Sequence, residues 1–349
     1  MGLGMLIWLE ALTPKQALLM ISIKRELERR GHHCIITTRR HDYIVGIFRI
    51  WGEKPKIIGR YGGETLYGKL KASLSRSMKL AEYIGRKEKR PKLHISLSSP
   101  DASRVAFGLR IPIILLNDTP HSTYVNRLTL PLAEKVITPK AIPKKLFKYA
   151  VEEDRIIQYN GVDEVAWIRR FKPNRKVLRK LGLREKDKII VIRGGEFKAS
   201  YYQRKGNIMV DKIIEKLEEE NVKIVYFPRY RDEMERMRRK HPKIIIPIKA
   251  VDAQSLMKFS TLVITGGGTM AREAALMGTP SIYLFQAELP VNRWLMEKGF
   301  PIKRITDYEK LIDYCMRILE NPDKYRMNTS KILSKLESPI QPITKLLEE

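Results

Sequence analysis

Leu262-Val263-Ile264-Thr265-Gly266-Gly267-Gly268-Thr269-Met270-Ala271-Arg272-Glu273-Ala274-Ala275 carries the reading of the whole chain. Its first residues are apolar or β-branched and read as a buried strand. From Thr269 onward the residues favour a helix. Only three glycines stand between the two. A strand that passes straight into a helix belongs to a βαβ unit, and hence to a parallel sheet. Three adjacent glycines let the backbone approach an anion closely and adopt positive φ. The helix start adds unpaired N–H groups and a partial positive charge. Gly266, Gly267, Gly268 and Thr269 are therefore read as a diphosphate cradle, with Glu273, one turn on, accepting from ribose hydroxyls. A tight strand-to-helix turn, with Glu273 merely favouring the helix N-terminus, is the plainer alternative. The spacing fits neither the P-loop nor Gly-x-Gly-x-x-Gly, so a nucleotide sugar suits it better than ATP or NAD.

The same alternation extends in both directions. Ile189–Ile192, Lys223–Phe227, Ile244–Ile246 and Ser281–Leu284 read as strands, separated by helices near 207–220, 231–240 and 253–259. Before the polar stretch Arg169–Arg175, strands are expected at Met5–Leu9, Cys34–Thr38, Lys56–Ile58, Leu93–Leu97, Ile113–Asn117, Lys135–Ile137 and Ile156–Gln158. Helices fall between them, at Lys15–Arg30, Asp42–Trp51, Glu64–Lys89, Asp101–Leu109 and Thr123–Leu130. Nearly continuous apolar strands imply a parallel sheet covered on both faces. Two domains follow, 1–164 and 165–349, each an α/β, Rossmann-like, doubly wound unit. Such units in series leave a cleft at the carboxyl ends of both sheets, where ligands bind.

Composition bounds the rest. The chain has 349 residues, 43% of them hydrophobic, and carries a formal net charge of +28. No run of 18 apolar residues occurs. The apolar start lacks a basic flank and runs into Glu10 and Thr13-Pro14, so it reads as a strand and not as a signal peptide. Cys34 and Cys315 stand far apart, and the six histidines form no ligand pattern with them. A cytoplasmic chain needing no cofactor and no metal is expected, with the nucleotide sugar as substrate. The charge has three readings: nucleic-acid binding, docking on an anionic membrane, or the Lys/Arg/Glu-rich composition of hyperthermophile proteins. No nucleic-acid motif or aromatic stacking platform accompanies it, which makes the first the least favoured.

Several stretches resemble an archaeal family of predicted glycosyltransferases. They are Leu12-Thr13-Pro14-Lys15-Gln16-Ala17, Gly59-Arg60-Tyr61-Gly62-Gly63, Asn117-Asp118-Thr119-Pro120-His121, Val125-Asn126-Arg127-Leu128-Thr129-Leu130-Pro131 and Thr138-Pro139-Lys140-Ala141. The glycine stretch is similar to the donor site of GT-B enzymes, among them the peptidoglycan N-acetylglucosaminyltransferase and the UDP-N-acetylglucosamine 2-epimerases. The resemblance implies a GT-B fold, with its two domains facing across the cleft, and a sugar transfer that is either inverting or retaining. It departs from the epimerases at two places. They carry an acid just before an Asn-Arg pair, where Ser122-Thr123-Tyr124-Val125 precedes Asn126-Arg127. They carry a histidine at the end of the second domain's first strand, where this chain reads Val191-Ile192-Arg193-Gly194-Gly195-Glu196. Epimerisation or hydrolysis of the nucleotide sugar is thus the second reading, and non-catalytic binding a minor third.

In a transferase, Asp118 and His121 are the candidates for deprotonating an acceptor hydroxyl, or Asp118 orients His121. Asp118 also fits a helix cap or a turn. Arg193, with Gly194 and Gly195, faces the departing diphosphate, because Arg engages phosphate oxygens bidentately. Thr13 and Lys15 mark the first strand-to-helix turn, and Gly62 and Gly63 an acceptor loop. For each, a surface lysine or an ordinary turn is the bland counterpart. Asp101 reads as the cap of the helix that follows it. Between Tyr67 and Lys92, nine Lys/Arg stand against Glu82 and Glu88. As a helix this run is expected to bury its apolar residues and present a basic face, to solvent or to a membrane holding a lipid-linked acceptor. No feature sets an oligomeric state.

Overall fold

The computed structural model describes residues 4–41, 43–195 and 205–348. Glu196, quoted above, lies outside them. The chain divides into two compact units, Met1–Trp167 with Leu336–Glu349, and Ile168–Lys335.

Unit 1 runs β1 (Leu6–Ala11), α1 (Pro14–Arg29), β2 (His33–Arg40), α2 (Ile44–Ile50), β3 (Lys56–Arg60), α3 (Leu66–Gly85), β4 (Leu93–Ser96) and α4 (Pro100–Gly108). It continues through β5 (Ile113–Leu116), α5 (Thr123–Thr129), β6 (Lys135–Pro139), β7 (Ile156–Tyr159) and α6 (Val165–Ile168). Unit 2 runs α7 (Lys176–Lys180), β8 (Ile189–Arg193), α8 (Lys205–Glu218), β9 (Lys223–Phe227), α9 (Arg231–Lys240), α10 (Ala253–Phe259), β10 (Leu262–Thr265) and α11 (Thr269–Leu276). β11 (Ser281–Tyr283), α12 (Pro290–Glu297), β12 (Ile302–Arg304), α13 (Tyr308–Glu320), α14 (Pro322–Tyr325) and α15 (Ser330–Leu333) follow. The last helix, α16 (Ile340–Glu348), belongs to unit 1.

Both sheets are parallel. Unit 1 has the order β3-β2-β1-β4-β5-β6-β7, and unit 2 the order β12-β11-β10-β8-β9. These are Rossmann-like, doubly wound sheets, as the alternation of apolar runs predicts. Right-handed crossovers put α1 and α2 on one face of the first sheet and α3, α4 and α5 on the other. The strand order reverses between β1 and β4 in unit 1 and between β8 and β10 in unit 2. Ligands bind such sheets beyond the carboxyl ends of the strands at a reversal point. The core of unit 2 is built from inward residues of its strands with Ile213, Leu217, Leu311 and Ile318 of the covering helices.

Some expectations are corrected. Ile244–Ile246 is no strand. Ile245 makes a single bridge to Val225 beyond β9, and Pro247 then removes the next donor. The short β12 was not anticipated, because three residues carry no readable alternation. Asp101 does not cap α4. Ser99 does, accepting from Ala102 N, while Asp101 sits buried in the first turn. The division at 164/165 puts 336–349 in the second domain, whereas the structure puts them in unit 1. There Gly161 bridges Glu337 in parallel, and Arg30 pairs with Glu348.

Helix α3 departs most from expectation. Its buried residues are Arg76, Leu80 and Ile84, while Leu70, Leu74 and Met78 face outward. The cause is Glu10, buried in the middle of β1. A buried carboxylate needs a partner. Arg76 Nη2 donates to Glu10 Oε1 at 2.5 Å, Nη1 to Asp101 Oδ2 at 3.2 Å and Nε to the Ile58 carbonyl at 2.8 Å. Thr37 completes the network, donating to Glu10 and accepting from Trp8 Nε1 at 2.7 Å. This network, and not an apolar face, orients the helix. Burial still raises Glu10 to about 7, although Arg76 pulls the other way.

Candidate functional site

In unit 2 the loops after β8 and β10 leave the two strands that flank the reversal point. Those strands are paired, Thr265 opposite Arg193, and Gly266 N donates to the Arg193 carbonyl at 2.9 Å. A Cβ on Gly266 would lie 2.2 Å from Gly195 Cα and 2.4 Å from Gly195 N. The glycines of the two loops thus press backbone against backbone. A Cβ on Gly268 would stand 2.6 Å from Arg272 Nη1 and 3.0 Å from Asn292 Oδ1. Gly267 alone faces open space, bounded by Arg229 Nη2 at 4.0 Å. None of the three has positive φ. The expectation of left-handed backbone here is therefore corrected: close packing, not φ, selects glycine.

Gly266 is buried, whereas Gly267, Gly268 and Thr269 are half-buried. Gly268 caps α11 without a side-chain hydrogen bond. Among the described residues, the amides of Gly267, Gly268 and Thr269 make no backbone hydrogen bond. Cationic groups surround this helix start. Arg272, buried, donates to Asn292 Oδ1 at 2.9 Å and to Thr269 Oγ1 at 3.5 Å. Arg193 ends β8, half-buried. Arg229 follows β9, its own amide held by Glu233 at 2.8 Å. Glu273 is only 2% exposed and accepts from Gln254 Nε2 at 2.8 Å. It lies against α10, one turn below the open amides.

In unit 1, Thr13 caps α1, accepting from Gln16 N, and Pro14 begins the helix. Lys15 Nζ reaches Asp118 Oδ2 at 2.5 Å and Asp163 Oδ2 at 2.7 Å. Tyr159 Oη donates to Asp163 Oδ1 at 2.6 Å. Burial pushes Asp163 above the usual carboxylate range, and Lys15 opposes the shift. Lys15 and Asp118, read separately from the sequence, thus meet. Asp118 caps no helix, since Ser122 holds the N-cap position of α5. The loop after β5 is tied by Asn117 and Asn126. Asn117 donates to Ser98 Oγ at 2.9 Å and Asn126 Oδ1 at 2.8 Å, and Asn126 donates to Tyr149 Oη at 2.8 Å. His121 sits exposed on this loop. Gly62 and Gly63 are elsewhere. Gly62 packs against the first turn of α3, where its Cβ would lie 2.2 Å from the Gly68 carbonyl oxygen. Gly63 takes φ of 84°.

Sequence reasoning missed Asp163, Tyr159, Arg229, Arg272 and Gln254. Asp163 had a signal, because Gly161-Val162-Asp163-Glu164 puts two acids directly after a strand. Among the described residues, no group of three or more His, Cys, Asp or Glu side chains is gathered as for a metal ion, and no helix is long and apolar enough to cross a membrane.

The model of the family described as "Protein of unknown function (DUF354)" matches residues 5–345. An uncharacterised protein of Methanocaldococcus jannaschii is 31% identical over 315 residues, which is 88% of this chain and 90% of that protein. Among solved structures, a Listeria monocytogenes protein described as a candidate UDP-N-acetylglucosamine 2-epimerase superposes with a TM-score of 0.74 at 17% identity, over 99% of this chain and 96% of that one. The M. jannaschii UDP-N-acetylglucosamine 2-epimerase, solved with UDP-N-acetylglucosamine and UDP, gives 0.72 at 16% identity, over 99% of each chain. The HepE protein of Anabaena, solved with UDP and glucose, gives 0.64 at 15% identity, over 99% of this chain and 100% of that one. At such identities the likeness is one of fold, the GT-B type of two Rossmann-like domains.

Proposed function

We propose, from the premise that the chain belongs to the DUF354 family, that it is an enzyme which binds a nucleotide sugar on unit 2 and transfers the sugar to an acceptor. The observation that carries this reading is the open amide row at Gly267–Thr269, at the carboxyl end of the reversal-point strand β10. Backbone N–H groups at a helix start are suited to a diphosphate. Arg229, Arg193 and Arg272 supply positive charge beside it, which offsets the charge that develops as nucleoside diphosphate departs. Glu273 is assigned to the ribose, with Gln254 holding its carboxylate. Neighbouring structures solved with UDP or UDP-N-acetylglucosamine support the same ligand class.

On unit 1 we assign His121 as the base, because its imidazole is exposed on the loop that follows β5 and can take a proton from an acceptor hydroxyl. Asp118 is less suited. Its negative charge is engaged by Lys15, so it holds the loop in place. Transfer is favoured over epimerisation because the segment 191–196, compared above with the epimerases' histidine-bearing strand end, holds no histidine, and residues 122–125 hold no acid.

The test is a thermal-shift panel of UDP-, GDP-, CMP- and dTDP-sugars, followed by assay of nucleoside diphosphate release with and without acceptor. A shift with one donor, and release that requires acceptor, are expected. Release or epimer formation from donor alone moves the assignment to the epimerase class. No shift with any donor ends the reading.

A further inference from the structure

We infer that helix α3 of unit 1 docks on an anionic phospholipid bilayer. The observation is the stripe Leu66, Leu70, Leu74 and Met78, spaced by four residues along one side of the helix, with Tyr67 beside it. All five side chains are between 58% and 84% exposed. Soluble chains scatter single apolar residues over their surfaces but seldom line them up. The stripe exists because Arg76 claims the inward face, leaving only Leu80 and Ile84 to pack beneath.

The layer around α3 extends the apolar surface. α3 packs on α4 and α4 on α5, all on one side of the sheet. Exposed Phe107 lies on α4, and exposed Tyr124 and Leu128, one turn apart, on α5.

Charge selects the occupant. Lys69, Lys71, Lys79 and Arg86 are exposed along the same helix, against Glu82 alone among its acids. Lys79 and Arg86 also border a cavity of about 560 Å³ lined in addition by Lys56, Lys87 and Tyr83. Lys56 and Lys87 both stand over the Tyr83 ring, at 5.4 and 4.6 Å. A second copy meeting this face would set these cations against one another, in a chain of net charge +28. A bilayer rich in anionic headgroups complements them and accepts the leucines at the acyl boundary. The helix would lie in the interface plane, not across the membrane. The inference stands apart from the donor site on unit 2.

Co-sedimentation of the whole chain with vesicles tests it. Binding to mixed phosphatidylglycerol–phosphatidylcholine vesicles is expected to exceed binding to pure phosphatidylcholine by about tenfold or more, and to weaken with added salt. Leu70→Ser with Leu74→Ser should weaken it about tenfold, as should Lys69→Gln, Lys71→Gln and Lys79→Gln together. All these side chains are exposed, so both variants should melt as the wild type does and keep any nucleotide-sugar shift. Equal binding to both vesicle types overturns the inference, as does wild-type binding by either variant. So does a dimer in sedimentation velocity that disperses with the serine variant, because the face then serves a second copy.

Discussion

Replacing Gly266 and Gly267 by alanine, one at a time, separates packing from ligand binding within two adjacent residues. At Gly266 the new methyl would sit 2.2 Å from Gly195 Cα, where ordinary contact begins at 3.4 Å. One loop must retreat by more than an ångström, and the obstacle is backbone, which cannot rotate away. Overpacking of this kind costs about 1–3 kcal/mol, and straining the Gly266 N to Arg193 carbonyl bond adds about 1 kcal/mol. For a unit the length of Ile168–Lys335, a loss of about 2–4 kcal/mol lowers the melting temperature by roughly 5–15 °C. At Gly267 the nearest atom is Arg229 Nη2, 4.0 Å away, and φ is not positive. Gly267→Ala should therefore change stability by less than about 1 kcal/mol, with a gain expected from a less flexible unfolded chain. Its methyl would nevertheless stand above the open amides. Calorimetry with and without saturating UDP-sugar reads both effects. Gly266→Ala should melt early, while Gly267→Ala should melt normally and lose most of its ligand-induced rise. A Gly266→Ala protein as stable as wild type would refute the close approach of the two loops. A Gly267→Ala protein with the full rise would refute the diphosphate cradle.

Other consequences follow from the charges. Glu10 is raised to about 7 when folded, so the folded state binds a proton that the unfolded chain has released between pH 4.5 and about 7. Stability should fall as pH rises through that window, by on the order of 3 kcal/mol at most, and Glu10→Gln should flatten that part of the pH–stability curve. Lys15→Met removes the cation that Asp118 and Asp163 share and should cost about 3–5 kcal/mol in chemical denaturation. Adding Asp163→Asn should recover part of the loss, and strict additivity in that double-mutant cycle would contradict the shared ion pair. Arg229→Gln should weaken UDP by about tenfold or more in calorimetric titration, since a diphosphate would lose a charged partner. Unchanged affinity would remove Arg229 from the donor site.

The features legible in the sequence were those written locally along the chain. Leu262–Ala275 announced strand, glycines and helix because each signal depends on neighbours in sequence. The parallel order of both sheets followed from repeating that unit. Illegible features join distant residues. Nothing near Arg76 says that its partner is Glu10 on β1, so the apolar pattern of α3 points to one face and the structure buries another. Asp163 and Lys15 likewise meet only through the sheet, although each was visible at the end of a strand or the start of a helix. The cap of α4 is ambiguous in the sequence by two residues, because Ser99 and Asp101 both suit a helix start and only the backbone conformation distinguishes them. In the sequence Arg229 is one more cation in a chain full of them. Its place beside Gly267 comes from β9 ending next to β8, a neighbour relation and not a motif.

Leu336–Glu349 returns to the first unit, where Glu337 extends the backbone pairing at Gly161 and α16 contacts α1. The amino-terminal half is therefore encoded in two pieces, and the carboxyl-terminal half in one. During synthesis the later-encoded unit, uninterrupted from Ile168 to Lys335, has all of its residues before the earlier one receives α16. The order of completion thus runs opposite to the order of encoding, and loss of Leu336–Glu349 would injure the domain that was begun first.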